Sequence, residues 1–370
     1  MCSSDLSITD CHIHHGGEIF PSGCGIWIGD NGYNTLQNNH IHHMHYTGIS
    51  VGWNWFFAPA YAMSNRIEFN HLHDITHSDL LHDLSAIYLL GRQPGTMVRG
   101  NVVEAVHCGG YGGHCIYPDQ GSSFLRIEGN LMLGAPYNAV GGNSAESLVI
   151  KGNLIYGRPG QVALIQENMV TSRLSYIVEG NVFLTAGPVI IASAADNKVF
   201  RNNLYGHLDT RSCQFAGRDF AAWTASGMDS GSREVDPGVL DIGGGSDIRL
   251  RVGSPLSEYA DLLALPNRVG PRRFPGGVLP TTLSEWPHHE QVVPTQLLVP
   301  TLSPGGPEPL DRVVDQEPAF LTVAPGELTT FSFQVHNVGL LRSKGRARVE
   351  LQPAEAGELE GGPVLDYDLA

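Results

Sequence analysis

Asparagine recurs through the first two hundred residues at nearly regular intervals. Each copy stands between two short apolar segments, as in "VRGNVVEAV" and "IEGNLMLGA". Successive copies are 31, 31, 29, 23, 28 and 22 residues apart, at Asn39, Asn70, Asn101, Asn130, Asn153, Asn181 and Asn203. An eighth copy, "ITDCHIHHG", comes first and has Cys11 in the asparagine position. A fixed period of this size indicates one structural unit stacked many times.

A second apolar run separates successive copies, for example "GISVG", "AIYLL" and "CIYPD". Each repeat therefore contains two or three short strands. A period of 22 to 31 residues suits one coil of a right-handed parallel β-helix. A propeller blade requires about 40 to 45 residues, and a β-sandwich gives no reason for a periodic asparagine. We predict an all-β chain whose main domain is a right-handed parallel β-helix, or solenoid.

The repeated asparagine has a physical role in such a coil. Parallel coils stack about 4.8 Å apart, so equivalent residues lie above one another. An inward asparagine can bond to the asparagines above and below it, and it tolerates left-handed backbone angles at a tight turn. The apolar residue two places later has the same parity, and we expect it to point inward. These apolar residues are Ile41, Leu72, Val103, Met132, Ile155 and Phe183.

The repeat fades after Tyr205, which divides the chain into three predicted regions. Residues 1–270 form the β-helix, and residues 207–270 cap its open end. Residues 271–318 are proline-rich and are predicted to be a linker. Residues 319–370 resemble the start of an immunoglobulin-like β-sandwich, an incomplete one because such a domain has about 100 residues. The chain also begins inside a repeat, so we expect a truncated N-terminus.

The formal charge is −15, from 22 basic and 37 acidic residues. Nucleic acids and anionic membrane surfaces require a basic face, so neither is an expected partner. No run of about 18 apolar residues is present that could span a membrane. No signal peptide is visible at the start of the chain. We nevertheless expect the full-length protein to be secreted or periplasmic.

Histidine is concentrated early in the chain, where 13 of 17 copies precede residue 115. Two sets occupy equivalent repeat positions: His12, His40 and His71, and then His14, His42 and His73. Both sets should lie on the outer face of one sheet. An H-x-H pair on a strand can bind a metal. Acidic ligands are sparse on these strands, so we expect a polar ladder of stacked rings and no metal site.

Carboxylates near glycine-rich turns are the catalytic candidates, because glycosidic bond cleavage typically requires two of them. In the N-terminal half these are Asp74, Asp79, Asp83, Glu104 and Asp119. Each acid taken alone is more typical of a solvated turn. Aromatic rings suit sugar faces, and they gather in the same region at Trp27, Trp53, Trp55, Tyr88, Tyr111 and Tyr117. If Ile87 and Ile116 point inward, Tyr88 and Tyr117 point outward and form a sugar platform.

Three stretches, "HIHHMHYTGISVGW", "HDLSAIYLLGRQPGT" and "YGGHCIYPDQGSS", resemble the bacterial right-handed β-helix proteins grouped near glycoside hydrolase family 141. The resemblance covers roughly residues 10–200. It implies hydrolysis of plant cell-wall glycans by an aspartate pair, and by position Asp83 and Asp119 match the two motif aspartates. This chain departs from the family pattern at six positions. It has Leu84 and Ser85 where the pattern has two glycines, and His114 and Cys115 where the pattern has tryptophan and glycine. It also has Pro118 in place of leucine and Gln120 in place of glutamate.

The two aspartates present a geometric difficulty. If Ile87 and Ile116 stack on adjacent coils, Asp83 lies four residues before one and Asp119 three residues after the other. If both segments are fully extended, Asp83 and Asp119 are about 20 Å apart. The carboxyl groups of a catalytic pair are about 5 to 9.5 Å apart. We therefore expect the glycine-rich segment 109–113 and a bend at Leu84–Ser85 to bring them together.

The leading hypothesis is a glycoside hydrolase that acts on a plant cell-wall or related polysaccharide, with Asp83 and Asp119 as its catalytic pair. Expected substrate-binding residues are Trp53, His82, Tyr88, Arg92, Tyr111, His114, Tyr117 and Gln120. No cofactor is expected, and calcium is not indicated. Two alternatives stay open. One is a polysaccharide lyase with an arginine base; the other is a non-catalytic glycan-binding solenoid, which Gln120 favours because glutamine cannot supply a proton.

Overall fold

The computed structural model describes residues 5–76, 81–108, 111–169, 173–185, 187–191, 197–208, 213–242 and 248–272, together with four strands further along the chain. It divides into two units, Met1–Arg273 and Phe274–Ala370. The first unit is a right-handed parallel β-solenoid of about eight turns. The predicted fold class is confirmed.

Each coil supplies one strand to each of three parallel sheets. Strands are numbered along the chain. Sheet A contains β1 (Ser7–Thr9), β4 (Thr35–Gln37), β7 (Arg66–Glu68), β10 (Met97–Arg99), β13 (Arg126–Glu128), β16 (Leu148–Lys151), β19 (Tyr176–Glu179) and β22 (Lys198–Arg201). Sheet B contains β2 (His12–Gly16), β5 (His40–Met44), β8 (His71–Ile75), β11 (Val102–Val106), β14 (Leu131–Leu133), β17 (Leu154–Tyr156), β20 (Val182–Thr185), β23 (Leu204–His207) and β25 (Arg233–Val235). Sheet C contains β3 (Ile26–Ile28), β6 (Ile49–Gly52), β9 (Leu84–Arg92), β12 (Gly112–Ser123), β15 (Asn138–Gly142), β18 (Ala163–Glu167), β21 (Pro188–Ile190) and β24 (Gln214–Phe215).

The asparagines form a continuous ladder at the corner between sheets A and B. The Asn70 side-chain amide donates to Asn101 Oδ1 at 2.9 Å, and that of Asn101 donates to Asn130 Oδ1 at 3.0 Å. The left-handed backbone angle belongs to the residue before each asparagine, such as Gly100 at φ +63° and Phe69 at φ +53°. The predicted ladder is confirmed. The prediction that the asparagine itself adopts the left-handed angle is wrong. Glycine is common there because it adopts positive φ without strain.

The core fills the inside of the coils with aliphatic side chains from all three sheets. The six residues predicted to point inward from sheet B are fully buried: Ile41, Leu72, Val103, Met132, Ile155 and Phe183. Ile87 and Ile116 are also fully buried and pair with each other across β9 and β12. Their register confirms that equivalent repeat positions stack coil upon coil.

The predicted cap at residues 207–270 is divided into two parts. Helix α1 (Phe220–Ala225) places Trp223 against Phe200 and Phe215 at the last coils. The remainder runs back along the outer face of sheet B, through β26 (Val239–Ile242), β27 (Ile248–Leu250), a 3₁₀ turn (Pro255–Tyr259), α2 (Ala260–Leu263) and a second 3₁₀ turn (Leu265–Asn267). It ends at Arg272, whose guanidinium contacts Asp10 of the first coil at 2.6 Å.

The outer face of sheet B explains where this returning segment packs. The position directly after each asparagine is histidine in the first coils and then becomes aliphatic, at Val102, Leu131, Leu154, Val182 and Leu204. These aliphatic side chains pack against Leu256 and Leu265 of the returning segment. Burial of that apolar stripe drives the docking. The histidine part of the face stays at least partly accessible.

The described residues of the second unit form two antiparallel strand pairs. β28 (Thr295–Leu298) pairs with β29 (Gln334–Asn337), and β30 (Ser343–Arg348) pairs with β31 (Val364–Leu369). The small antiparallel sheets agree with the predicted all-β character. The rest of the predicted linker, 273–318, and of the partial sandwich, 319–370, lies outside the described residues, so those boundaries stay predictions.

Candidate active site

Strands β9 and β12 bring the two motif aspartates to the outer side of sheet C. Tyr88 and Tyr117 pair directly across these strands, and their rings meet edge to face with centroids 5.5 Å apart. Tyr88 Oη donates to Asp119 Oδ2 at 2.5 Å, and Tyr117 Oη donates to Asp83 Oδ1 at 3.5 Å. Each tyrosine therefore contacts the aspartate of the other coil. We call these four residues the Asp/Tyr cluster.

Asp119 is the buried member of the aspartate pair, with 5% of its surface exposed. In addition to the Tyr88 hydroxyl, the Asn143 side-chain amide donates to its Oδ1 at 3.1 Å. Both carboxylate oxygens are therefore held by hydrogen-bond donors. These contacts hold Asp119 in a single orientation beneath the surface of sheet C.

Asp83 is half-buried and lies just before β9, at a backbone φ of +58°. Burial raises the pKa of Asp83, the negative charge of Asp119 raises it further, and the Tyr117 hydroxyl acts in the opposite direction. The net effect is a raised pKa. A carboxyl group in this setting holds its proton to a higher pH than an exposed aspartate does. The two aspartates are thus close enough to influence each other electrostatically.

The structure links the two aspartates in a different way from the expected one, through the side chains of Tyr88 and Tyr117. Leu84 and Ser85 are buried parts of the continuous strand β9, so the predicted bend does not lie there. The chain bends at His82 and Asp83, directly before β9, and Asp83 has a positive φ. The tyrosine side chains span the remaining distance between coils. Residues 109–110 of the glycine-rich segment lie outside the described residues.

Two irregularities in the pairing of β9 and β12 shape the cluster. Gly112 pairs with Leu84 and His114 with Ser85, so β12 holds one extra residue at this point. A Cβ on Gly112 would stand 2.4 Å from the backbone nitrogen of Leu84, and its φ is +112°. Only glycine fits such a close approach. A second shift follows Asp119, and bulges of this kind commonly re-aim side chains next to active sites.

An open cleft of about 410 Å³ lies beside the cluster. Its lining residues are Ser22, Cys24, Trp27, Tyr46, Trp53, Leu81 and His82. Trp53 stacks on Tyr88 with ring centroids 5.6 Å apart, and Trp27 is 58% exposed. Burial raises the pKa of Tyr46, as do the charges of Asp83, Cys24 and Asp119. Tyr46 therefore lines the cleft within electrostatic range of both carboxylates.

The prediction that Tyr88 and Tyr117 form an open sugar platform is wrong. Tyr88 and Tyr117 do lie on the outward side of sheet C, but they are only 3% and 1% exposed. Trp53 covers Tyr88, and the His114 ring stacks on Tyr117 at 4.5 Å. The two tyrosines therefore position the carboxylates. The exposed aromatic surface is provided by Trp27 in the cleft.

His114 is buried between three tyrosines, Tyr111, Tyr117 and Tyr137. Neither of its ring nitrogens has a hydrogen-bond partner within the described part of the chain. Burial lowers the pKa of His114 to about 3, so the ring is neutral near pH 7. It supports the cluster by packing, as does Tyr111, whose hydroxyl lies 3.4 Å from that of Tyr117.

The other predicted binding residues divide into two groups. His82 lines the cleft and accepts a hydrogen bond from the Tyr111 backbone N–H at 3.4 Å. Arg92 lies over the Phe124 ring, 5.5 Å from its centroid, at the far end of β9. Gln120 is half-buried in the second irregularity of β12, next to Asp119. His82 and Gln120 therefore lie next to the cluster, whereas Arg92 lies at the other end of β9.

Two cluster neighbours, Asn143 and Tyr46, were missed by the sequence reasoning, although a signal existed for both. Val140 pairs with Ile116, so Asn143 stands level with Asp119, three residues further on. In the same way Ile49 pairs with Ile87, which brings Tyr46 level with Leu84, the residue after Asp83. Extending the repeat alignment past the strand ends would have found both residues.

The remaining candidate acids belong to a different sheet. His71 Nε2 lies 2.7 Å from Glu104 Oε1, and His73 Nδ1 lies 2.8 Å from Asp74 Oδ2, both on sheet B. Burial acts to raise the pKa of Asp74, but hydrogen bonds from His73 and His107 outweigh it and lower the pKa. Asp79 lies outside the described residues.

The histidines of β2, β5 and β8 form the predicted stacked ladders. His12, His40 and His71 stack at 4.8 and 5.1 Å, and His14, His42 and His73 stack at 5.2 and 4.8 Å. Burial and the neighbouring histidines lower the pKa of His40 and of His42 to about 4. We call this surface the histidine face.

Comparison with known proteins identifies the fold. A family model described as "Right handed beta helix region" matches residues 1–131. The chain contains a right-handed β-helix. A solved structure titled "Glycoside hydrolase" matches at 23% identity and a TM-score of 0.30, covering 45% of this chain and 25% of that one. The chain thus spans about a quarter of that solved chain. No curated protein matches. Among the described residues no helix is long and apolar enough to cross a membrane.

Proposed function

We propose that this protein is a glycoside hydrolase that cleaves a plant cell-wall or related polysaccharide at the outer side of sheet C. The observation that carries the proposal is the Asp/Tyr cluster. In it Tyr88 holds Asp119 at 2.5 Å, Tyr117 lies 3.5 Å from Asp83, and Asp119 raises the pKa of Asp83. Two carboxyl groups in different environments are the groups that glycosidic cleavage requires.

The two environments suggest different roles for the carboxyl groups. Asp83 is the general acid, because its raised pKa keeps the proton available and its half-buried position faces the surface. Asp119 is the base or nucleophile, because hydrogen bonds from Tyr88 and Asn143 orient its oxygens as acceptors. General acid–base catalysis of this type contributes about 10²- to 10⁴-fold in rate.

The adjoining cleft fits a sugar chain. Trp27 and Trp53 offer indole faces whose centroids lie 6.3 Å apart, and sugar rings pack on such faces. Tyr46 and His82 add polar groups at the side nearest to Asp83. We expect one sugar to occupy the cleft, with the scissile bond at Asp83.

Sugar release from a panel of plant cell-wall polysaccharides tests the proposal. Asp119→Asn and Asp83→Asn should each lower release by at least 10²-fold, while circular dichroism stays unchanged. Asp261→Asn, at an exposed position in α2, is the matched control and should keep full activity. Retention of activity in Asp119→Asn would exclude the aspartate pair. A polysaccharide lyase would instead form a product whose new double bond absorbs in the ultraviolet.

A non-catalytic glycan-binding solenoid is the second candidate. The observation that favours it is the burial of Asp119, which is only 5% exposed and stands next to Gln120. On this reading Trp27→Ala abolishes glycan binding, no polysaccharide is turned over, and Asp119→Asn leaves binding unchanged. Turnover by the parent protein would rule it out.

A further inference from the structure

A second concentration of reactive side chains lies on sheet B, and it is separate from the Asp/Tyr cluster on sheet C. We propose that His40, His71 and His73 bind a divalent transition-metal ion of the zinc class, with Glu104 at the edge of the site. Ligand nitrogens of the three histidines all lie within 4.8 Å of one another. Imidazole is a preferred ligand of zinc, copper and nickel. The inference does not depend on the proposed glycosidase activity.

The orientation of His73 is the first argument. Its Nδ1 lies 2.8 Å from Asp74 Oδ2, and an ionised carboxylate can only accept, so Nδ1 carries the proton. The lone pair is then on Nε2, which faces His40 Nε2 at 2.7 Å. A carboxylate behind the histidine is the usual support of a metal-ligating ring, because it sets the tautomer and the ring orientation.

The contact between His40 and His73 is the second argument. At 2.7 Å, His40 Nε2 donates its proton to the lone pair of His73 Nε2, and an ion that binds both nitrogens takes the place of this proton. Both rings bind metal in the neutral form. A tetrahedral ion with bonds of 2.0 to 2.1 Å separates its ligand nitrogens by about 3.3 Å, so small side-chain rotations suffice to admit it.

Glu104 supplies the third argument. Its Oε1 lies 2.7 Å from His71 Nε2, so by the rule applied to His73 that nitrogen carries the proton and His71 offers Nδ1 to the ion. The other oxygen, Oε2, is buried and has no hydrogen-bond partner within the described part of the chain. A buried carboxylate oxygen without a donor is costly. A cation beside His71 supplies the missing positive charge. Glu104 therefore orients the His71 ring and adds negative charge beside the proposed ion.

Access and stoichiometry follow from the surroundings. A cleft of about 690 Å³ opens onto His71, His73, Asp74 and Glu104, so an ion and its remaining water ligand can enter. Two neighbouring groups, one of His12, His40 and His42 and one of His43, His73 and Asp74, also approach ligand geometry. Each shares a histidine with the proposed site. One tightly bound ion per chain is therefore expected.

Calorimetric titration of the full chain with Zn²⁺ at neutral pH, after removal of metals by a chelator, tests the site. The parent protein should bind one Zn²⁺ tightly. His73→Ala should weaken that affinity by more than 100-fold, and Glu104→Gln should weaken it by about 10- to 100-fold. His14→Ala is the matched control, because His14 stacks on His42 in the same face but belongs to none of the three groups.

The outcomes that overturn the inference are equally definite. The site does not exist if the parent protein binds no Zn²⁺, or if His73→Ala binds it within threefold of the parent. Equal weakening by His14→Ala and His73→Ala would show diffuse binding by surface histidines and would also refute it. If His73→Ala fails to fold, as judged by circular dichroism, His40→Ala replaces it with the same expected loss.

Discussion

Removal of one rung of the asparagine ladder tests the stacking on which the whole solenoid depends. Asn101 lies in the middle of the ladder and is fully buried. Its Oδ1 accepts from the backbone N–H and the side-chain amide of Asn70, both at 2.9 Å. Its own amide donates to the Ile67 carbonyl at 2.8 Å and to Asn130 Oδ1 at 3.0 Å.

The magnitude of the expected effect follows from these contacts. Asn101→Ala leaves two donors without partners, the backbone N–H of Asn70 and one of its amide hydrogens. The Ile67 carbonyl loses one donor but stays in the ladder between β7 and β10. Each unsatisfied buried group costs about 1 to 3 kcal/mol. Water entering the vacated space satisfies some of them. We therefore expect the free energy of unfolding to fall by about 2 to 4 kcal/mol, the lower part of the range for two such groups.

Urea unfolding followed by circular dichroism measures the change, since the free energy falls linearly with denaturant. Asn267→Ala, an exposed position in the last 3₁₀ turn, is the control and should change stability by less than about 0.5 kcal/mol. A loss below about 1 kcal/mol for Asn101→Ala would refute the reasoning, because it would mean that the ladder contributes no more than a single exposed hydrogen bond.

Two further predictions concern buried ionisable groups. Lys198 and Glu167 form an ion pair at 2.7 Å, and both side chains are fully buried. Lys198→Met leaves the glutamate charge without its partner, so it should lower the free energy of unfolding in urea by about 3 to 5 kcal/mol. The double variant Lys198→Met/Glu167→Gln should recover most of that loss, and an undiminished loss in the double variant would contradict this account. His114 has its pKa lowered to about 3 by burial, so the unfolded state binds more protons than the folded state below about pH 6.5. Its contribution is fully present above that pH and is lost as pH falls toward 3, by at most about 1.4 kcal/mol per pH unit. Stability measured from pH 7 to pH 4 should therefore fall less steeply in His114→Phe than in the parent, and parallel curves would show that His114 is not the group responsible.

The solenoid itself was predictable because its determinants are local and repeated. The period of Asn39, Asn70 and Asn101 specifies a stacked coil, and the parity of the following apolar residues specifies which side is inside. Each coil contacts mainly its neighbours, so one rule applied many times describes the fold. The same rule predicted that Ile87 and Ile116 stack and that the histidines form ladders.

Tertiary structure alone decided how the site is built. The extra residue of β12 at Gly113, the bend at Asp83 and the burial of Tyr88 and Tyr117 all depend on contacts between segments far apart in the chain. A repeat pattern in the sequence does not predict where the structure departs from that repeat. The returning segment that ends at Arg272 shows the same limit, since its docking depends on an apolar stripe that exists only after the coils have stacked. The repeat therefore determines the scaffold, whereas the arrangement of the Asp/Tyr cluster depends on positions where the repeat is interrupted.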